Sequence, residues 1–391
     1  MHQCVLWTGI FIGSLLLASP LTARSPASTY HSKRSTVLLS SAEKQLAKAV
    51  NSRLTTINNK PILDLRLVDA ARRFTERDGT ARDALLDAGI SDQYLIPIRY
   101  TATLDQGPLI TPVESILKSD VKNAEITHYG VGITGHGQGK RIGLIFVRRG
   151  ARLSRFPKQL QHGDHYLLNG SLEGHFKKPK ILIATPLAKV IEATPQLQHG
   201  MFWTTLQFNQ GEGRYTIEVQ AEDNYGIQVL SLLEVWVGKK HAATHVPIRR
   251  VRPIPRPISS LDSAEERSLQ LINKTRARYG LKEVRLSYNL RQQARIHSSE
   301  MSQKGYFGHH SPHRGSLSSR LKRGGVRHSI AAENIAISTS PELAHVELVR
   351  SPSHLRNILD PHVTHIGVGI HQRNAGPQPV LTFTQIFARL R

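Results

Sequence analysis

The chain carries one heptapeptide pattern twice, as T-H-Y-G-V-G-I at residues 127–133 and as T-H-I-G-V-G-I at residues 364–370. The alternation of residue types predicts a β-strand at each place. Further matches flank both strands, and they pair Leu67 with Leu290, Ala71 with Ala294, Arg72 with Arg295, Leu144 with Leu381 and Phe146 with Phe383. Repetition of the same helix and strand signals predicts that one α/β domain occurs twice.

The N-terminal copy differs from the C-terminal copy in its polar residues. It reads P-I-R-Y at residues 97–100 where the C-terminal copy reads A-E-N-I at residues 332–335, and it has Leu117 and Lys118 where the C-terminal copy has His354. The pattern indicates a degenerate copy that keeps the scaffold and has lost a site.

Length and charge limit the classes of protein that the chain can belong to. Its 391 residues exceed one typical core and favour two or three domains. With 52 Lys and Arg against 29 Asp and Glu, the protein is strongly basic and should attract anions in a salt-dependent way. Anionic envelope polymers and a lipid surface are the expected partners. No nucleic acid is expected, because the basic residues are spread rather than grouped in a reading motif.

The N-terminus has the pattern of a secretory signal segment, predicted at residues 1–23. Residues 5–18 are almost all apolar, and the small residues Thr22 and Ala23 follow. An uncleaved anchor is the alternative. Cys4 is the only cysteine, so a mature chain would have no disulfide. Export to the periplasm, the cell surface or the extracellular space is therefore expected.

Composition divides the rest of the chain into five parts. The predicted parts are a disordered segment (24–39), the degenerate α/β copy (40–153), a β-sandwich domain (154–238), a Pro/Arg-rich linker (239–260) and the intact α/β copy (261–391). In the third part, short apolar runs at residues 166–168, 181–184, 202–208, 215–221 and 229–237 predict strands, with Asn169-Gly170 as one of the turns between them. The segment around Tyr215 resembles a late strand of an immunoglobulin-like domain, where a tyrosine pins a corner.

Helix starts and one helix face can also be assigned. Ser40 with Glu43, and Ser263 with Glu266, have capping-box spacing, and Gly280 is a stop signal. Leu290, Ala294, His297 and Met301 form one stripe of a helix at residues 287–303, which Gly305 should end. His297 is therefore interpreted as a buried, hydrogen-bonded histidine rather than as a ligand.

Three short strings in the C-terminal copy carry chemistry. They are F-G-H-H-S-P at residues 307–312, A-E-N-I at 332–335 and S-P-S-H-L-R-N-I-L at 351–359. His309, Glu333 and His354 could together hold a divalent, zinc-like cation, since imidazole and carboxylate are common ligands of such ions. Spacing alone is weak support, because a chain with 20 histidines offers many such triples.

The ordered strings resemble the CAP superfamily, which comprises cysteine-rich secretory proteins, antigen 5 and pathogenesis-related 1 proteins and is also called SCP-like. The resemblance covers residues 269–387, in the short, disulfide-free bacterial form. It implies an α-β-α sandwich with a cleft formed by His309, Glu333 and His354. Many members add a second acid, and Ser351 stands at that position here.

Five further residues are possible accessories of the cleft: His310, Ser311, Asn334, Ser351 and Asn357. His310 is a second-choice ligand, because adjacent residues tend to point apart. Asn334 and Asn357 are expected to satisfy backbone groups. A Ser311–His309 hydrolase is not favoured, since no orienting third residue or oxyanion loop is recognisable.

Three functions stay open from the sequence. The first is an exported module that binds a divalent metal or a small ligand in the cleft. The second is a metal-assisted hydrolase, such as a peptidase acting on envelope material, with Glu333 as general base. The third is a basic adhesion or scaffold protein. Whether any reaction is catalysed is left undecided.

Overall fold

The computed structural model describes residues 29–31, 37–56, 60–76, 79–103, 110–111, 114–117, 124–135, 139–238, 259–374 and 379–391. The predicted signal segment at 1–23 and residues 239–258 of the predicted linker lie outside these ranges. Among the described helices, none is long and apolar enough to cross a membrane.

The first part of the chain forms a mixed α/β domain. Its elements, after a short strand β1 (Thr29–Tyr30), are α1 (Ser41–Thr56), β2 (Ile62–Leu63), α2 (Leu65–Glu76), α3 (Ala81–Asp87), β3 (Tyr94–Thr103), α4 (Glu114–Ile116), β4 (His128–Thr134) and β5 (Gly139–Arg148). The sheet has the order β2-β4-β5-β3, and only the β2–β4 pair is parallel.

The middle part is a two-sheet β-sandwich. It contains β6 (Ala151–Leu153), β7 (Phe156–Pro157), β8 (Gln159–Leu160), β9 (His165–Leu172), β10 (Lys177–Ala184), β11 (Val190–Ala193), β12 (Gln196–Gln198), β13 (Met201–Gln207), β14 (Gly213–Asp223) and β15 (Gly226–Val237). The sheets have the orders β11-β10-β14-β15-β8 and β12-β13-β9-β6. Both contribute to one core, which includes Ile217 and Phe202.

The structure corrects three predictions about this domain. Strand β6 pairs with β9, so the sandwich begins at residue 151 and not at 154. Strand β1 pairs with β7, and Tyr30 is buried in the sandwich core, so residues 29–31 are ordered although they fall in the predicted disordered segment. The predicted turn at Asn169-Gly170 lies inside β9, where a Cβ on Gly170 would come within 2.6 Å of the Arg152 carbonyl oxygen.

The last part is an α-β-α sandwich. Its elements are α5 (Leu261–Arg278), β16 (Arg285–Leu286), α6 (Tyr288–Lys304), α7 (Leu317–Arg323), β17 (His328–Ser338), α8 (Pro341–Arg350), α9 (Pro352–Ile358), β18 (His365–Asn374) and β19 (Pro379–Leu390). The sheet order is β16-β18-β19-β17, with a parallel β16–β18 pair. One core lies between the sheet and α5, α8 and α9, and another lies between the sheet and α6 and α7. The two α/β domains thus have the same strand order and pairing.

The repeated glycines are explained by close helix packing. A Cβ on Gly130 would lie 2.2 Å from the Leu67 carbonyl carbon, and a Cβ on Gly367 would lie 2.1 Å from that of Leu290. The helix backbone therefore rests directly on the strand in both domains, and only glycine leaves room for it. The same helix residues were matched between the two copies in the sequence.

A buried carboxylate holds the first helix to the sheet in the N-terminal domain. The predicted capping box is present, because the Ser40 N–H donates to Glu43 Oε2 at 2.8 Å and the Glu43 N–H donates to Ser40 Oγ at 3.2 Å. Glu43 Oε1 also accepts from Arg72 Nε at 2.8 Å and from the Ile133 N–H at 3.2 Å. One side chain thus joins two helices and a strand.

The C-terminal domain repeats this contact with Glu265. Its Oε1 accepts from Arg295 Nε at 2.9 Å and from the Ile370 N–H at 3.0 Å. Arg295 and Ile370 occupy the places that Arg72 and Ile133 have in the first domain. The two domains therefore share a buried carboxylate paired with a partly exposed arginine, as well as a sheet order.

The second predicted capping box is wrong. Helix α5 starts at Leu261, and its N-cap is Ser260, which exchanges hydrogen bonds with Ser263 rather than with Glu266. The predicted ends of the helices are confirmed, since Gly280 and Gly305 have positive φ angles of 69° and 70°.

The pairing of the last two strands in each α/β domain disagrees with two of the residue matches made from the sequence. Gly130 lies opposite Ile145, whereas Gly367 lies opposite Ile386, so the hairpin between the last two strands is longer in the C-terminal domain. The matches of Leu144 with Leu381 and of Phe146 with Phe383 are therefore wrong. The alternating pattern of strands fits several registers equally well, and only the pairing decides among them.

The packing at Gly130 leads to a stability prediction. We expect Gly130→Ala to destabilise the protein by about 1–3 kcal/mol or more, because the added methyl must push the α2 backbone away from β4. Gly139→Ala is the control, since a Cβ there meets nothing within 4 Å; it should change stability by less than about 0.5 kcal/mol. Urea unfolding measures both, and equal effects would refute the close-packing explanation.

Candidate functional site

His309 and Glu333 are brought together by two different elements. Glu333 lies on β17, and His309 lies in the loop that follows α6. His309 Nδ1 and Glu333 Oε1 are 3.0 Å apart. The Glu333 side chain is 2% exposed and that of His309 is 30% exposed, so the histidine lies between a buried acid and the surface.

Arg320 is the partner of Glu333 that the sequence did not identify. It lies on α7 and is buried. One terminal nitrogen donates to Glu333 Oε2 at 2.9 Å, and the other donates to Oε1 at 2.9 Å and to the His309 carbonyl oxygen at 3.0 Å. Nothing in the local pattern distinguishes it from the exposed Lys322 and Arg323. The only available signal was the need of a buried carboxylate for a cation.

These contacts fix the charge state of Glu333. Burial alone would raise the pKa of Glu333, but the hydrogen bond with His309 and the charge of Arg320 outweigh it and lower this pKa to about 2. An ionised carboxylate can only accept hydrogen bonds. His309 Nδ1 therefore carries the hydrogen of this bond.

His354 lies on α9, at the other end of the motif region from His309 in sequence. Burial, followed by the charge of His309, lowers the pKa of His354 to about 3. The ring is therefore neutral at physiological pH. Its backbone carbonyl accepts a hydrogen bond from Asn334 Nδ2 at 3.2 Å.

Asn334 and Asn357 connect α9 with β17. Asn357 Nδ2 donates to the Glu333 carbonyl oxygen at 3.2 Å and to Asn334 Oδ1 at 2.9 Å. The predicted structural role of the two asparagines is confirmed by these bonds. They hold the helix that carries His354 against the strand that carries Glu333.

Residues 269–387 match the family model "CAP: Cysteine-rich secretory protein family". These residues are a CAP domain.

The relatives share this domain. The "Uncharacterized protein YkwD" of Bacillus subtilis (strain 168) is 38% identical over 112 residues, which are 28% of this chain and 44% of that protein. The "Uncharacterized membrane protein YlbC" of the same strain is 34% identical over 112 residues, again 28% of this chain and 32% of that protein. The chain thus covers less than half of the length of these relatives.

Solved structures give a weaker likeness. An extracellular protein containing a SCP domain from Bacillus anthracis str. Ames is 21% identical, with a TM-score of 0.30 over 57% of this chain and 82% of that chain. A cysteine-rich secretory protein (SAV1118) from Staphylococcus aureus subsp. aureus Mu50 is 14% identical, with a TM-score of 0.29 over 58% of this chain and 87% of that chain.

Two of the predicted accessory residues, Ser311 and His310, are placed differently. The Ser311 hydroxyl donates to Glu300 and accepts from the N–H groups of His313 and Arg314, so it closes a turn. His310 is exposed. The predicted burial of His297 is confirmed, since its Nε2 lies 3.0 Å from the Gly308 carbonyl oxygen and its side chain is fully buried.

Ser351 contacts a different domain. Its hydroxyl donates to Glu218, which lies on β14 of the sandwich. A carboxylate is therefore present beside Ser351, but it comes from outside the CAP domain. Sequence analysis of one domain had no means of finding Glu218.

The residues present fit only part of the predicted metal site. Within the described ranges, no group of three or more His, Cys, Asp or Glu side chains is arranged to hold a metal ion. Both oxygens of Glu333 accept from Arg320, and a guanidinium beside them disfavours a second cation there. The predicted ligands that remain are the imidazole nitrogens of His309 and His354, with Glu333 behind His309.

The buried ion pair can be tested by a double-mutant cycle. Arg320→Met should cost about 3–5 kcal/mol of stability, because Glu333 is left as an uncompensated buried charge. The double variant Arg320→Met/Glu333→Gln should recover part of that loss. Urea unfolding at pH 7 gives the values, and a double variant no more stable than Arg320→Met would contradict the pairing.

The lowered pKa of Glu333 also predicts a pH dependence. Its ordinary value is 4.5 and its value in the folded protein is about 2, so the stability it contributes is present above pH 4.5 and is lost as the pH falls towards 2. The contribution is on the order of 3 kcal/mol. Between pH 6 and pH 2.5 the wild type should lose more stability than the double variant; equal losses would argue against the shift.

Proposed function

We propose that the chain is an exported CAP-domain protein that binds a divalent, zinc-like cation through His309 and His354. The hydrogen bond between His309 Nδ1 and Glu333 is the observation that supports this most directly. Histidine ligands of metals almost always donate their other ring N–H to a carboxylate or carbonyl, which fixes the ring and raises its basicity. His309 has this arrangement.

The ionisation states support the same conclusion. A histidine binds a metal only in its neutral form. His354, with a pKa of about 3, needs no deprotonation at physiological pH. When bound at two imidazoles, such a cation supplies a Lewis acid with open positions for a ligand. Glu333 and Arg320 orient His309 and keep the local charge balanced.

A hydrolase with Glu333 as general base has less support. A base works best with a pKa near the operating pH, and that of Glu333 is about 2. Both of its oxygens are also occupied by Arg320. If this CAP domain catalyses a reaction, a group other than Glu333 must accept the proton.

The same proposal assigns the other two domains. We take the N-terminal domain as a degenerate CAP copy, because it repeats the sheet order and the buried contact of Glu43 with Arg72. We take the middle domain as immunoglobulin-like, because the Tyr215 hydroxyl donates to the Gly211 carbonyl oxygen at 2.9 Å, as a corner tyrosine does.

Zinc titration of the full chain tests the proposed site. Wild type should show one binding site that is weakened at least about tenfold in His309→Ala and in His354→Ala, since each removes one ligand. His310→Ala is the matched control, because His310 is adjacent and exposed; it should leave this site unchanged. An unchanged titration in the His309→Ala/His354→Ala double variant would sink the metal proposal.

Export and charge lead to a separate test. A net charge of +23 supports retention on an anionic envelope polymer or lipid surface. Retention of the purified chain on vesicles with anionic lipid should fall steeply as salt rises above about 0.1 M, where the screening length is roughly 10 Å. Retention that does not respond to salt would contradict an electrostatic partner.

A further inference from the structure

The outer face of β14 has an unexpected environment. Ile217 and Val219 point into the sandwich core, so Glu218 and Gln220 point away from it. A polar residue on the outer face of a sandwich is normally exposed to solvent. Glu218 and Gln220 are buried nonetheless, with Glu218 at 0% exposure. Another part of the chain must therefore cover this face.

The CAP domain covers it at the beginning of α9. Ser351 is the N-cap of α9 but makes no capping bond with its side chain. Its hydroxyl donates to Glu218 instead, and its oxygen lies 3.2 Å from the Ser353 hydroxyl oxygen. Gln220 Nε2 donates to the other Glu218 oxygen at 2.7 Å. A side chain of the sandwich thus bonds to the N-cap residue of the helix that carries His354.

The hairpin between β14 and β15 meets the loop that carries His309. The Tyr225 carbonyl oxygen accepts from the His310 N–H at 2.8 Å, and the Tyr225 ring stacks on Tyr306 with a centroid distance of 5.6 Å. A Cβ on Gly308 would come within 2.4 Å of the Tyr225 Cβ, so only glycine fits beneath the hairpin. The sandwich therefore contacts the elements that carry both histidines.

We propose that the site of His309 and His354 is an interdomain site, in which Glu218 is a positioning residue for His354 and the Tyr225 hairpin positions the His309 loop. This inference rests on the function proposed above. It adds that the CAP domain does not build its cleft alone. A helix of seven residues with no internal cap depends on outside contacts for its orientation, and the bond from Ser351 to Glu218 is one of them.

The full chain with Glu218→Ala provides the main test. Loss of the bond between Ser351 and Glu218 should let α9 shift. Zinc binding at the site should then weaken by about tenfold, the lower end of the range for residues that orient metal ligands. Glu218→Gln should recover most of the affinity, because its amide oxygen still accepts hydrogen bonds. Arg356→Ala is the matched control: Arg356 lies on α9 and contacts Glu192 of the sandwich at 3.5 Å, but both side chains are exposed.

A second measurement does not depend on zinc. The Hε1 proton resonance of His354 at fixed pH should shift in Glu218→Ala and stay in place in Glu218→Gln and Arg356→Ala. If wild type binds no zinc at this site but the resonance shifts as described, the metal proposal fails and the positioning role stands. If Glu218→Ala lowers the melting temperature but leaves both zinc affinity and the resonance unchanged, Glu218 has only a structural role and the inference is overturned.

Discussion

The arrangement of His309 and Glu333 depends on one buried ion pair, between Arg320 on α7 and Glu333 on β17. Burying two charges costs several kcal/mol, and the cost is offset only when the geometry is good and the remaining hydrogen-bonding groups are satisfied. Here the guanidinium makes two parallel bonds to the carboxylate and a third to the His309 carbonyl oxygen. The pair therefore holds a helix, a strand and the histidine loop at one point.

This pairing changes the role of the motif acid. In the sequence, Glu333 is one of three possible ligands, because an acid between two histidines suggests a shared metal. In the structure the same carboxylate is neutralised by Arg320 and orients His309. An acid with a pKa of about 2 and two occupied oxygens is a good hydrogen-bond acceptor and a poor proton acceptor. Glu333 thus acts through the hydrogen bond that it accepts from the His309 imidazole.

The sequence predicted what depends on local pattern or on direct helix–strand packing. Leu290 and Gly367 could be placed in the core because helical spacing and strand alternation each have a fixed period. His297 could be assigned to the core for the same reason. The register of the last strands could not be predicted, because apolar residues recur along β19 on both faces and several registers satisfy the pattern.

Arg320 and Glu218 could not be predicted for a different physical reason. Each is a charged residue in a segment where exposure is the normal state, and each is buried only because a distant element lies against it. Burial of this kind arises where two distant segments meet, so the residue pattern of one segment cannot reveal it. The motif strings identify the histidines because they belong to one domain. Residues that contact the start of α9 and the His309 loop come from another domain, so the sequence of the CAP domain alone does not specify the surroundings of these histidines.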